Sequence, residues 1–189
     1  MIMPMRSGLF FLIAILALSG ALSGAAFADQ TDPRLDPLFE QLRGGDGLGA
    51  DATVERIEEI WRDSQSDTVD LLYARAEAAA DARNFDLAEA LLDHAIGLSP
   101  SFAQGYALRG AIRLSQSDQV GSIADFTRTI ELEPRQFEAA IALGEIMLAG
   151  GDKRGAYAMF QKALEWNPHE DHARDRAKKL RDDLSGQEI

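Results

Sequence analysis

Three consecutive segments of the chain share one pattern, and they read VDLLYARAEAAADARNFDLAEALLDHAIGLSP (69–100), AQGYALRGAIRLSQSDQVGSIADFTRTIELEP (103–134) and EAAIALGEIMLAGGDKRGAYAMFQKALEWNP (138–168). Each segment ends in a proline, and the equal spacing of Pro100, Pro134 and Pro168 defines a 34-residue period. The same register aligns residues of similar size in four columns: Ala76, Gly110 and Gly144; Ala88, Ser122 and Ala156; Leu92, Phe126 and Phe160; and Ala95, Thr129 and Ala163. A fixed period of this length indicates a stack of repeated helical units.

The residue pattern of each unit predicts a hairpin of two α-helices. The small residue of the first column lets the two helices approach closely, and the second helix places a large apolar residue four positions after its own small residue. Short turns at Arg83-Asn84, Ser117-Asp118 and Gly151-Asp152 separate the helices. The proline ends the second helix, because it has no N–H to donate and disfavours helical backbone in the residue before it.

These columns resemble the tetratricopeptide repeat family, whose first helix carries a large apolar or aromatic residue, Leu, Gly and Tyr and whose second carries Ala, Phe, Ala and a terminal Pro. Three columns of the first helix depart from that pattern. The column of the large apolar or aromatic residue contains Leu72, Tyr106 and Ala140, and so has no tryptophan. The Leu column contains Arg75, Arg109 and Leu143, and the Tyr column contains Ala79, Arg113 and Met147. The resemblance implies an all-α fold, a right-handed α-α superhelix (a solenoid) of helix hairpins with N-terminal and C-terminal capping helices. Its three repeats are expected at 67–100, 101–134 and 135–168.

The flanks of the repeats predict further helices. Residues 29–66 contain two helical patterns, at about 35–43 and 52–65, separated by the glycine-rich stretch 44–49. We interpret them as a degenerate repeat or N-terminal helical cap. Residues 169–189 predict a solvating helix, which covers the apolar face of the last hairpin, and a short tail.

Residues 1–28 have the pattern of a secretory signal peptide. A short positive region is followed by the apolar run Leu9–Leu18 and by an A-x-A cleavage site at Ala26-Phe27-Ala28. We therefore expect export to the periplasm and no stable membrane insertion after cleavage, with a secreted destination as an alternative. A second alternative is an uncleaved membrane anchor, because the stretch 9–28 approaches the length needed to span a bilayer.

Composition excludes several classes of function. The 189 residues include 31 acidic and 19 basic side chains, for a net charge of −12, and no cysteine. The absence of cysteine excludes disulfides, thiolate zinc sites, a cysteine nucleophile and a lipoprotein anchor. The acidic balance argues against a nucleic-acid partner, since such proteins track phosphates with Lys and Arg.

Candidate catalytic chemistry is sparse, and we predict no catalytic, cofactor-binding or metal-binding residue. The glycines at 44–49 lack the spacing of a phosphate-binding loop, so we interpret them as a hairpin loop. His169 and His172 lie one turn apart beside acidic residues, and either a surface divalent-metal site or a solvated helix start fits them. Arg75, Arg109 and Arg113 occupy usually apolar columns, where they either pair with acidic neighbours or contact a ligand.

A concave groove is the predicted partner-binding surface. By the resemblance, four positions of each first helix line it, and from these we predict a site at Asp70, Tyr73, Glu77, Gln104, Leu114, Glu138, Ile141, Glu145 and Leu148. Family members that clamp a terminal carboxylate use Lys, Arg and Asn there, and this lining has none of them. An acidic and apolar lining favours a protein or peptide carrying basic residues with interspersed Leu, Phe or Val. The alternative is a solvated wall, with binding elsewhere.

These observations predict a non-catalytic interaction scaffold or adaptor of the bacterial cell envelope, which binds a partner polypeptide in the groove. Two alternatives remain open. One is an envelope-assembly cofactor held at the membrane by an uncleaved N-terminus. The other is a hydrolase that depends on carboxylates or on a metal at His169 and His172.

Overall fold

The computed structural model describes residues 32–45 and 47–186, so the predicted signal peptide lies outside the described residues. The regular structure in this part of the chain is all α-helical, which confirms the predicted fold class. The helices are α1 (Leu35–Gly44), α2 (Ala50–Arg62), α3 (Asp67–Asp81), α4 (Phe85–Leu98), α5 (Ala103–Ser115), α6 (Gln119–Leu132), α7 (Phe137–Ala149), α8 (Lys153–Trp166) and α9 (Asp171–Ser185). Within these described residues, no helix combines the length and the apolar character that crossing a membrane requires.

The helices from α4 onward follow the 34-residue period. The second helices α4, α6 and α8 begin at Phe85, Gln119 and Lys153, and the first helices α5 and α7 begin at Ala103 and Phe137. Helix α9 begins at Asp171, one further period after the start of α7, so it continues the series of first helices. The three prolines each lie two residues beyond the end of a second helix, at equivalent places in the turn to the next hairpin.

The predicted turns within the hairpins have one shared geometry. Arg83, Ser117 and Gly151 adopt positive φ values of 58°, 67° and 85°. The next residue in each turn, Asn84, Asp118 or Asp152, caps the second helix by accepting a hydrogen bond from a backbone N–H in its first turn. Such a cap satisfies one of the donors that a helix start leaves unpaired, so each hairpin has a defined reversal.

The column of small residues fixes the distance between the helices of a hairpin. A methyl group at Gly144 would lie 2.9 Å from Cε1 of Phe160, and one at Gly110 would lie 3.2 Å from the ring of Phe126. Phe160 is fully buried, as is Ala156 one turn before it. In these two hairpins the phenylalanine of the second helix therefore occupies the space that the glycine of the first helix leaves open.

Helices α1 and α2 form a hairpin, which we call the N-terminal hairpin. Its second helix begins two residues earlier than the predicted start and ends three residues earlier than the predicted end, because Asp63 is extended and the chain turns at Gln65, where φ is 62°. The hairpin does not take the place of a cap stacked on the first repeat. Its buried side chains share one apolar cluster with those of α7, α8 and α9.

Helix α9 covers the apolar face that α8 presents at the end of the repeats. Its buried residues Ala173, Ala177 and Leu180 belong to the same cluster as Phe160 and Ala163 of α8. The N-terminal hairpin and α9 therefore cover the same end of the stack.

Candidate functional site

The nine predicted site residues lie on α3, α5 and α7, the first helices of the three hairpins. We call the surface that these residues form the inner wall. It is not a uniform open surface, because some of its side chains belong to the core, some pair with other parts of the chain, and some are covered by the N-terminal hairpin.

The apolar members of the predicted site are largely packed within the protein. Tyr73 is 3% exposed and its ring meets that of Phe102 edge-on, with the centroids 5.3 Å apart. Burial, reinforced by the nearby carboxylate of Glu77, raises the pKa of Tyr73 above its usual range, so its hydroxyl remains protonated. Leu114, Ile141 and Leu148 are half-buried against the apolar clusters.

Two polar members of the predicted site are held by hydrogen bonds within the chain. Asp70 accepts hydrogen bonds from the backbone N–H and the hydroxyl of Ser64, in the segment that joins the N-terminal hairpin to α3. Oε1 of Gln104 accepts a hydrogen bond from Nε2 of Gln136 at 3.1 Å, which links α5 to the start of α7. Both side chains therefore connect elements of the wall to their neighbours.

Two of the predicted carboxylates form ion pairs. Glu77 lies 3.6 Å from Arg62 of α2. Glu145 lies 2.7 Å from both His172 and Arg176 of α9. The acidic charge of the wall is therefore partly neutralised before any partner binds.

Glu138 is the exception among these carboxylates. Its side chain remains accessible to solvent, but the surrounding protein partly shields it, and it lies beside Glu58 of α2. This desolvation, followed by the charge of Glu58, raises the pKa of Glu138 to about 7, against a partial offset from Arg62. Ionisation of Glu138 therefore places a negative charge beside that of Glu58, which itself pairs with Arg62 at 2.8 Å.

Helix α2 lies along the inner wall. It contacts α5, its Arg62 reaches Glu77 of α3, and its Trp61 packs against Phe137 of α7 with ring centroids 6.0 Å apart. The indole Nε1 of Trp61 donates a hydrogen bond to Oε2 of Glu133, which is 1% exposed. One helix from outside the repeats thus touches all three first helices of the wall.

Helix α1 binds beside it, at the turns that follow α6 and α8. The ring of Phe39 meets Trp166 edge-on at 5.6 Å, and the guanidinium of Arg135 lies 5.0 Å above the centre of the same Phe39 ring. Arg135 also pairs with Asp36 at 2.8 Å. At the end of α1, the backbone oxygen of Leu42 lies 2.9 Å from Nε2 of His169.

We call the surface that receives the N-terminal hairpin the docking surface; it comprises Glu133, Arg135, Phe137, Trp166 and His169. None of these residues is in the predicted site. All five lie in or next to the turns between hairpins, whereas the predicted site was drawn from positions within the first helices. One signal was present in the sequence: the chain has two tryptophans, and both belong to this interface.

The two histidines of the metal hypothesis have different partners. Nε2 of His169 contacts Leu42, whereas Nε2 of His172 lies 2.7 Å from Oε1 of Glu145. Over residues 32–45 and 47–186, no group of three or more His, Asp or Glu side chains is arranged to hold a metal ion. The structure therefore does not bring this pair together as one site.

The arginines in usually apolar columns differ in role. Arg109 forms a bidentate pair with the buried Asp125 and also binds Asp93, and Arg113 bridges Asp125 to Glu89. These two contacts follow the predicted pairing with acidic neighbours. Arg75 is exposed on α3.

About half of the chain is similar in sequence to a known repeat protein. No family model matches the chain. A TPR repeat-containing protein of Rhizobium etli is 34% identical over 107 residues, which cover 56% of this chain and 52% of that protein. The chain thus spans about half the length of this curated relative.

Two solved structures share the fold. The first TPR domain of Spaghetti, bound to an HSP90 peptide, has a TM-score of 0.59 at 15% identity and covers 64% of this chain and 95% of its own. The Yersinia enterocolitica type III secretion chaperone SycD, in complex with a peptide of the translocator YopD, has a TM-score of 0.58 at 15% identity, with coverages of 61% and 94%. Together with the 34-residue register of the helices, these structures show that the chain has the tetratricopeptide repeat fold, and its similarity to the Rhizobium protein supports a place in that family.

Proposed function

We propose that the protein is a non-catalytic interaction scaffold of the bacterial cell envelope, which binds a segment of a partner polypeptide on its inner wall. The observation that carries this proposal is the position of α2. A helix that is not part of the repeats lies against α3, α5 and α7 and is held there by side-chain contacts. A surface that accepts one helix of this chain has the shape and chemistry to accept a polypeptide segment.

The fold neighbours support binding of this kind. The Spaghetti domain is bound to an HSP90 peptide and the SycD chaperone to a YopD peptide. At 15% identity these two structures support only the fold of this chain. The residues proposed for binding therefore come from the contacts described above. The envelope location rests on the predicted signal peptide at residues 1–28.

The charge of the wall favours a partner with basic and apolar residues. Glu138 lies beside another carboxylate, and a Lys or Arg from a partner would relieve that repulsion. By the resemblance, Ala111 is another of the α5 positions that line the groove, and because it is exposed, the wall also has an open apolar position. Leu or Val side chains of the partner would pack there.

The proposal is tested by photo-crosslinking in intact cells. A photoreactive amino acid at Ala111 on the inner wall is compared with one at His94, which is exposed on α4, a second helix. We expect one defined protein adduct from position 111 and none of the same mass from position 94. Equal adducts from both positions, or adducts from position 94 alone, would overturn inner-wall binding.

Cell fractionation tests the location. The soluble-scaffold proposal expects release with the periplasmic fraction. Retention in membranes after a high-salt wash would instead support the alternative of a membrane-anchored assembly cofactor.

A further inference from the structure

The N-terminal hairpin binds the repeats as a separate unit. Residues 63–66, whose backbone is extended or turned, join it to α3, and Arg62 lies 3.6 Å from Glu77 of that helix. Its buried apolar side chains lie in one cluster with those of α7, α8 and α9 at the far end of the stack. Its first helix presents Leu35, Leu38, Phe39 and Leu42 at i, i+3, i+4 and i+7, the spacing with which an amphipathic helix enters a groove.

The two charged groups Glu133 and Arg135 of the docking surface are paired with each other, whereas His169 contacts the hairpin itself. Arg135 binds Glu133 through its backbone N–H and its guanidinium, independently of Trp61 and Asp36. Departure of the hairpin would therefore leave no unpaired buried charge, which is the main reason that breaking a buried ion pair is costly. The ion pair from the hairpin side is peripheral, because the Asp36 side chain is 82% exposed.

The interface also contains an unfavourable contact. Glu58 of α2 pairs with Arg62 at 2.8 Å and also lies beside Glu138 of α7; desolvation and then the charges of Glu58 and Glu170 disfavour the ionised form of Glu138. Like charges at an interface weaken association. A segment that lacked an acidic residue at the position of Glu58 would bind the same wall without this repulsion.

We infer that the N-terminal hairpin is a displaceable occupant of the inner wall, and that the partner replaces it with an amphipathic helix carrying aromatic and aliphatic side chains at i, i+3, i+4 and i+7. This inference rests on the proposed function and specifies its ligand. The partner helix places an aromatic ring against Phe137 or Trp166, as Trp61 and Phe39 do. A basic residue where α2 has Glu58 gives it an advantage over the resident helix.

The test uses a fluorescent synthetic peptide of residues 32–64 and the purified full-length protein. A tethered hairpin competes with free peptide at an effective concentration in the millimolar range, so wild-type protein should bind the peptide weakly. Replacing both aromatic anchors of the resident hairpin, Phe39→Ala with Trp61→Ala, should increase peptide affinity at least tenfold. The matched control Leu48→Ala alters the same hairpin at a side chain that is 87% exposed, and it should bind the peptide as wild type does.

A second peptide identifies the determinants of binding. The same sequence with Ala at positions 39 and 61 should bind the double variant at least tenfold more weakly than the native peptide. Equal binding of the two peptides would overturn the aromatic-helix partner. Equal affinity of wild type and double variant for the native peptide would overturn displacement.

Hydrogen exchange checks that the double variant is still folded. We expect faster exchange in α1 and α2 and unchanged protection in α4, α6 and α8. Loss of protection throughout the repeats would show that the hairpin is a permanent part of the core, and would overturn the inference. If position 111 gives its adduct equally in wild type and in the double variant, the scaffold proposal stands while displacement fails.

Discussion

The indole Nε1 of Trp61 donates a hydrogen bond to Oε2 of Glu133 at 3.3 Å, although 72 residues separate them in sequence. Glu133 is held at the same time by Arg135, so its buried carboxylate accepts from two donors of different origin. Trp61 comes from outside the repeats and Arg135 from within them. This contact therefore reports whether the N-terminal hairpin is docked.

Trp61→Phe should lower the free energy of unfolding by about 1–2 kcal/mol, because it removes the hydrogen bond and leaves part of the apolar contact. Denaturant titration followed by circular dichroism measures the change. In a Glu133→Gln background, the same substitution should cost less, since the charged acceptor is already absent. An equal cost in both backgrounds would show that the hydrogen bond contributes nothing to docking.

Gly144→Ala should destabilise the protein by about 1–3 kcal/mol, because the new methyl group would meet the ring of Phe160 at 2.9 Å. Gly97→Ala is the matched control in α4, where no atom lies within 4 Å of the added methyl group. That variant should be more stable by about 0.4–1 kcal/mol, since alanine is the better helix former. Destabilisation of the same size at both positions would contradict the packing role of Gly144.

Phe160→Ala should cost about 3–5 kcal/mol, because its side chain is fully buried between the hairpins and α9. Phe126→Ala should fall in the same range, since that ring contacts Gly110 in the equivalent position. Thermal unfolding provides the measurement. A melting temperature that barely moves in both variants would refute the shared repeat register.

Glu138→Gln should stabilise the protein at pH 8 and have little effect at pH 5. The folded-state pKa of Glu138 is about 7, above the ordinary value of 4.5, so its stabilising contribution is complete below pH 4.5 and is lost as the pH rises through 7. Glutamine resembles the protonated form and escapes that loss. We expect a melting temperature about 1–3 °C above wild type at pH 8.

Glu58 is the partner that makes this effect specific, because its charge contributes to the raised pKa of Glu138. Glu58→Gln should lower that pKa toward its ordinary value and shrink the pH 8 gain of Glu138→Gln. A gain that is unchanged by Glu58→Gln would show that burial alone shifts the pKa.

We predict that the N-terminal signal peptide is removed from the mature chain. Intact-mass analysis of protein expressed in a bacterial host with a periplasm should show a species that begins at Asp29 or a neighbouring residue, because signal peptidase cleaves after an A-x-A site. A mass that includes Met1 would contradict cleavage and support the anchored alternative.

The repeats could be read from the sequence because their contacts recur at a constant spacing. Gly110 lies against Phe126 and Gly144 against Phe160, at the same separation along the chain, so equivalent residues meet equivalent partners in both units. The turn caps at Asn84, Asp118 and Asp152 are equally local. Such contacts leave a pattern in the order of residues, which is why the period, the hairpins and the helix ends at the prolines were predictable.

The repeat pattern predicted only part of the inner wall. The family register assigned Tyr73 and Glu145 to the wall, but it carried no information on what covers or pairs with them. Tyr73 meets Phe102 from the next repeat, and Glu145 meets Arg176 of α9. These pairings depend on how neighbouring helices are placed and not on the repeat columns.

The amino-acid order was sufficient for the hairpins, their number and their stacking, since those features follow from contacts within a unit or between adjacent units. It was not sufficient for the location of the N-terminal hairpin. Leu42 meets His169 across 127 residues and Asp36 meets Arg135 across 99, and neither separation is a multiple of the 34-residue period. The hairpin occupies that place because the folded stack brings Phe137, Trp166 and Arg135 together, and this apolar and charged surface exists only once the chain is folded.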